Sequence, residues 1–192
     1  ALRHERRFEH ERLNAVNTEK VHMRLELPAT IDELWTGFKS KLRSQIRKPM
    51  NDPSISVAFG RLNQLDAFYS VFCQNMRDLG TPPFSKELFH QMLVQFADAA
   101  EICTVSQNGQ PIASGFLLHG PEVTSIPSAS SLRKFNVTSG NSLMYWHALK
   151  RSVELGQKAF DFGRSSVDSG TYTFKQRWGA EAYPAVWQYC LR

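Results

Sequence analysis

Apolar and polar residues alternate over VHMRLEL, residues 21–27. Val21, Met23, Leu25 and Leu27 fall on one side, His22, Arg24 and Glu26 on the other. A period of two marks a half-buried strand. Beyond Pro28 the period lengthens. Leu34, Trp35, Phe38, Leu42 and Ile46 recur at helical spacing, and Thr30 and Glu33 stand where a capping box needs them. This predicts one amphipathic helix that Pro49 stops. SISVAFG (54–60) reads as a short strand. Leu62, Leu65, Phe68, Tyr69, Phe72 and Met76 then mark a helix ended by Gly80, and after Pro82-Pro83 a further helix starts at a Ser85 cap. EICTVSQ, PIASGFLLHG and EVTSIPSAS form a three-stranded meander. Asn108-Gly109 is a tight-turn signal between its first two strands. A helix is expected at about 141–155, capped by Asn141 or Ser142 and ended by Gly156. KAFDFG reads as a strand that breaks at Gly163, SGTYTFKQRWG as a short helix, and AYPAVWQYCLR as a last strand.

That order predicts a mixed α/β (α+β) domain around a largely antiparallel sheet flanked by helices. Residues 1–20 mix Arg3, Arg6, Arg7 and Arg12 with Glu5, Glu9 and Glu11 without a clear apolar period. They read as an exposed helix or a loose arm, expected to be the end of a first domain that lies outside this sequence, with residues 21–192 as the domain proper. No apolar run has the length needed to span a bilayer. Cys73, Cys103 and Cys190 are far apart and have no zinc-type spacing, so they are read as buried, reduced thiols of a cytoplasmic protein.

A net charge of +5 over 192 residues suits a polyanionic partner, and equally suits a solvated basic face. The expected helix before Pro49 carries Lys39, Lys41, Arg43, Arg47 and Lys48 and is the most basic element. There is no P-loop, no G-x-S-x-G and no H-E-x-x-H, and no metal is expected. Two stretches remain as candidates. In SASSLRKFNVTSGN (128–141), Ser131 and small neighbours leave a strand, Arg133 and Lys134 follow, and a helix start at Asn141 offers free amides for an anion. A plain polar loop with a cap has the same composition. In FDFGRSSVDSGTYTFKQRWG (160–179), Asp161 and Arg164 can pair, and Lys175 lies among Tyr172, Phe174 and Trp178. A cation held there can meet a phosphate or a developing oxyanion, or it can be a surface lysine beside a core ring.

SKLRSQIRK, NSLMYWHALKRSVELG, FDFGRS and GTYTFKQRWGA together resemble the Fem-type branch of the GNAT-like acyltransferases. The likeness is strongest to the FemAB-related proteins associated with exosortase and exopolysaccharide systems, and it runs from about Val21 to Trp187. The resemblance implies a central mixed sheet splayed between two strands. It also implies transfer of an acyl or aminoacyl group to an amine of a peptidoglycan or other envelope precursor. In that family the lysine of F-K-x-x-[FW]-G lies near the acceptor phosphate and the reacting groups, and the matching residues here are Phe174, Lys175, Trp178 and Gly179. Lys175 is therefore the expected catalytic cation. Arg164, Tyr172, Phe174, Asn141, Ser131, Arg133 and Arg43 are the expected substrate-binding residues. The donor is expected to be acyl-CoA or aminoacyl-tRNA, and the acceptor a phosphorylated envelope precursor. A second GNAT-like domain is a further expected partner, because Fem-type proteins usually contain two. The usual coenzyme A signature, Q/R-x-x-G-x-G/A, is absent. Two other readings stand beside this one: an acyl-CoA-dependent N-acetyltransferase, and a non-catalytic binding module that uses its basic helix.

Overall fold

A computed structural model describes residues 1–191. Among them eight strands form one sheet: β1 (Leu2–His4), β2 (Ala15–Glu26), β3 (Ile55–Gly60), β4 (Ala100–Gln107), β5 (Gln110–His119), β6 (Val123–Ser131), β7 (Ala159–Ser166) and β8 (Glu181–Tyr189). Their spatial order is β1-β8-β2-β7-β6-β5-β4-β3. Every neighbouring pair is antiparallel except β6 and β7. The helices are α1 (Ile31–Gly37), α2 (Ser40–Met50), α3 (Leu65–Asp78), α4 (Lys86–Gln95), α5 (Gly140–Glu154) and α6 (Gly170–Arg177).

Local signals place most boundaries. Thr30 and Glu33 form the reciprocal capping box of α1, and the Ser85 hydroxyl accepts the Leu88 amide at the start of α4. Asn108 and Gly109 both take positive φ, 49° and 78°. Two such residues make the turn whose twist matches the flanking strands β4 and β5.

Five expectations change. The helix expected before Pro49 is two helices, because the chain is extended at Phe38 and Lys39. Pro49 lies inside the last turn of α2 rather than beyond it. Residues 1–20 form no helix: Leu2–His4 make β1 and Ala15–Lys20 begin β2, whose backbone groups β8 satisfies, and residues 5–14 between them have no regular structure. The N-cap of α5 is Ser139, in the left-handed region at φ 60°, and not Asn141 or Ser142. The thiol of Cys103 is buried as expected, but Cys73 is half-buried and Cys190 is exposed.

The sheet separates two apolar layers. On one face α1, α2 and α5 pack Leu34, Phe38, Ile46, Met144 and Leu149 against Met23, Phe160 and Phe162. On the other face α3 and α4 pack Phe68, Phe72, Phe89 and Leu93 against Ile102 and Phe116. Full burial of each such side chain contributes about 1.5–3 kcal/mol, so both layers are anchored.

The parallel pairing of β6 and β7 is short. It joins Val123, Thr124 and Ser125 to Ala159, Phe160 and Asp161. Past that point β6 stays with β5 as far as Ser131, while β7 stays with β2 as far as Ser166. The two strands diverge and open a gap in the sheet, with α5 on one side of it and α6 beyond.

Candidate active site

The gap becomes a trough. Its first part is a cavity of about 550 Å³ lined by His22, Ser125, Tyr145, Asp161, Arg164 and Lys175 among others. A second cavity, of about 250 Å³, shares Ala129, Tyr145, Thr171 and Lys175 with the first and adds Asn75, Ser131, Asn141 and Phe174. A third, of about 230 Å³, shares Ser131, Asn141 and Phe174 and reaches Gln45, Asn136 and the start of α5. Lys175 and Tyr145 therefore line the passage from the wide part to the narrower parts.

Lys175 is held by β7. It is 7% exposed, and its Nζ donates to the carbonyl oxygens of Gly163 at 3.0 Å and Arg164 at 2.9 Å. Those carbonyls are turned toward α6 because the strand is irregular there: Gly163 takes φ +77°, and the pairing of β2 with β7 shifts register between His22 and Arg24. The Asp161 carboxylate secures the irregularity by accepting the Gly163 amide at 2.7 Å. An ammonium carries three N–H donors. Two are spent on β7, and the third remains for whatever enters the trough. Burial draws the Lys175 ammonium down to about 8, and the nearby Asp161 charge opposes that only in part.

The expected Asp161–Arg164 pair is absent among the described contacts. The Oδ2 of Asp161 lies 3.6 Å from Arg24 Nε and 3.9 Å from His22 Nδ1, and Arg24 also pairs with Glu5. Arg164 lines the trough, with its guanidinium 4.3 Å from the Trp187 ring centroid. Tyr145 stacks on Phe162 at 5.5 Å, and burial pushes its phenol above the ordinary range.

At the far end, the amides of Asn141 and Ser142 precede the first intrahelical bond of α5, from Leu143 N–H to Ser139 O at 3.2 Å. Such amides, with the helix dipole behind them, favour an anion.

Five of the eight residues expected from the sequence line this trough: Lys175, Arg164, Phe174, Asn141 and Ser131. Tyr172 does not, and packs half-buried against the core. Arg43 does not, and reaches the Thr36 carbonyl at 3.4 Å. Arg133 faces a separate cavity on the other side of its own turn. His22, Asn75, Tyr145 and Thr171 were not singled out as ligands. His22 was legible only as the polar side of a strand and Tyr145 only as part of the stretch NSLMYWHALKRSVELG.

A family profile described as "Acetyltransferase (GNAT) domain" matches residues 36–176. The chain belongs to this GNAT family. No curated protein sequence matches it. Among solved structures, the GNAT fold seen here is similar to that of FemX (TM-score 0.78, 14% identity, 89% of this chain and 61% of that one). L-PGS from Bacillus licheniformis is also similar (TM-score 0.68, 13% identity, 93% and 62%). So is a GCN5-related N-acetyltransferase-like protein from Streptococcus suis 89/1591 (TM-score 0.53, 11% identity, 91% and 63%). The chain spans 61–63% of the length of these structures. The splayed sheet and the Fem-type likeness expected from FDFGRS and GTYTFKQRWG are borne out at the level of GNAT family and fold.

Proposed function

We propose that this GNAT domain transfers an acyl or aminoacyl group to an amine of a cell-envelope polysaccharide or peptidoglycan precursor. The observation that carries the reading is the buried Lys175 ammonium, which keeps one N–H for the trough after β7 has taken two. A neutral acceptor amine attacks the carbonyl carbon of the donor's ester or thioester. The new C–N bond places negative charge on the carbonyl oxygen, and a fixed cation in a water-poor cleft stabilises that charge. Collapse expels the alkoxide or thiolate, which leaves with the proton released by the amine. The trough supplies alignment of the two reactants, and the α5 amides receive an anionic group of either one.

The names of FemX and L-PGS among the fold relatives favour an aminoacyl donor. The α5 start, Thr138-Ser139-Gly140, would equally receive the phosphates of an acyl-CoA. On this reading the protein works in the cytoplasm on a phosphorylated precursor, together with a second GNAT-like domain. Among the described residues no helix is long and apolar enough to cross a membrane. The test is a donor screen with acyl-CoA, acyl carrier protein and aminoacyl-tRNA, each offered with an amine-bearing envelope precursor. Amide formation with one donor is the expected result. Transfer from none of the three, or binding to nucleic acid with a steep salt dependence and no transfer, would refute the proposal.

A further inference from the structure

One of the three residues that the trough leaves out, Arg133, leads to a second site. Between α3 and the 3-10 segment Arg133–Thr138 lies a cavity of about 590 Å³. Ser70, Gln74, Arg77 and Asp78 of α3 line one side and Arg133 and Lys134 the other, over a floor of Pro111 and Leu132. Three basic residues thus line it beside one carboxylate, with the Lys134 ammonium 4.9 Å from the Phe135 ring centroid at the edge of the turn. One oxygen of that carboxylate is engaged: Gln74 Nε2 donates to Asp78 Oδ1 at 2.8 Å. Arg77 donates to the same glutamine's oxygen, which aims its guanidinium along the cavity wall. Among the described residues none of Arg77, Arg133 and Lys134 lies within salt-bridge distance of a carboxylate.

The wall that carries Arg133 and Lys134 is fastened. Leu132 N–H donates to Ile112 O at 2.9 Å, Thr138 Oγ1 to Phe135 O at 2.7 Å, and Lys48 Nζ of α2 to Val137 O at 2.7 Å. A fixed wall lowers the ordering cost of binding. The same turn is the ridge between this cavity and the trough: Leu132 lines both, and Phe135 and Asn136 face the trough.

We infer that this cavity is a phosphate-ester site, distinct from the α5 helix start, which holds the phosphorylated part of a ligand whose reacting end lies in the trough. Guanidinium and ammonium groups on facing walls of one cavity suit a phosphate's oxygens. The Ser70 hydroxyl and the Gln110 side chain suit the hydroxyl-rich carrier of such a group. The ligand's source, a donor nucleotide or a phosphorylated acceptor sugar, rests on the transferase reading. The anion site itself does not.

The test is calorimetry on the full chain with two probes, adenosine 3′,5′-bisphosphate for the nucleotide source and glucose 1-phosphate for the sugar source. The site predicts that one of them binds, and that the Arg133→Ala/Lys134→Ala variant binds it about tenfold more weakly or worse. Arg77→Gln should weaken it in the same direction, and added salt should weaken wild type more than the double variant. Lys175→Met should leave this affinity unchanged. Whichever probe binds identifies the source. If neither binds wild type, or if the double variant binds as wild type does, the site is overturned. Loss of transfer in Lys175→Met concerns the trough alone, so the two proposals fail separately.

Discussion

Lys175→Met separates a catalytic lysine from a structural one, because burial and bonding act on stability with opposite signs. Methionine keeps the aliphatic stem and removes the ammonium. In the folded chain burial holds that ammonium at about 8, against 10.5 for a free lysine side chain. The difference corresponds to about 3 kcal/mol, which the folded state gives up at neutral pH to keep the charge. The substitution regains this energy and loses two charge-assisted hydrogen bonds, each contributing about 1.5–3 kcal/mol. The two effects offset each other, so at pH 7 the variant should lose no more than about 3 kcal/mol. The sign with pH follows from linkage. Between pH 8 and 10.5 the unfolded chain holds a proton that the folded chain has released. The burial penalty is therefore complete below about pH 8 and is relieved as pH rises to 10.5. Wild type should gain on the variant by about 3 kcal/mol across that interval, read from urea unfolding at pH 7 and pH 10.5. Transfer should fall by about 10²–10³-fold, as expected for loss of one oxyanion donor. A variant that loses more than about 3 kcal/mol at pH 7, while each folded molecule transfers at the wild-type rate, would make Lys175 a structural tie and sink the reasoning.

Three further outcomes follow from the same geometry. Wild-type transfer should decline above pH 8, as the protonated fraction of Lys175 falls, and a rate that keeps rising to pH 10 would contradict a cationic role. Gly163→Ala meets no atom within 4 Å but forces a Cβ into φ +77°, so it should lower stability by about 1–2 kcal/mol and shift the carbonyl that holds Lys175, reducing transfer by more than its effect on the melting temperature explains. Glu101 is buried and accepts from His119 Nε2 and Arg151 Nε, both at 2.9 Å. Burial alone would raise its pKa, but those two bonds outweigh it and hold the carboxyl below its usual value. Its stabilisation is present above pH 4.5 and is lost as pH falls through the lowered folded value. Glu101→Ala should cost about 3 kcal/mol at pH 7 and flatten the fall of the melting temperature below pH 4.5.

Most of the element order is legible in the sequence, because its signals act within a few residues. The Thr30–Glu33 box, the Ser85 cap and the Asn108-Gly109 turn each depend on a backbone group close in sequence, and each is present. The alternation in VHMRLEL and the helical spacing in α3 and α5 likewise report which side of an element is buried. FDFGRS and GTYTFKQRWG together pointed to Lys175, and Lys175 does line the trough.

Only the tertiary structure decided where those residues meet. The trough exists because β6 and β7 pair at three positions and then follow different partners, β5 and β2. β5 is the hairpin neighbour of β6, but β2 lies far from β7 in sequence, so no local period encodes the gap. The same long-range pairing drew Leu2–His4 and Ala15–Lys20 into the sheet, because β8 satisfies their backbone groups whatever side chains they carry. It buried Lys175 against two strand carbonyls, which composition alone could not distinguish from a surface lysine. It also set Arg133 and Asn141, eight positions apart, on opposite sides of one ridge, so that a single polar stretch serves two cavities. Side-chain type and spacing determine which elements form. The direction a side chain finally faces depends on the path of the backbone through its partners, and that is a property of the whole sheet.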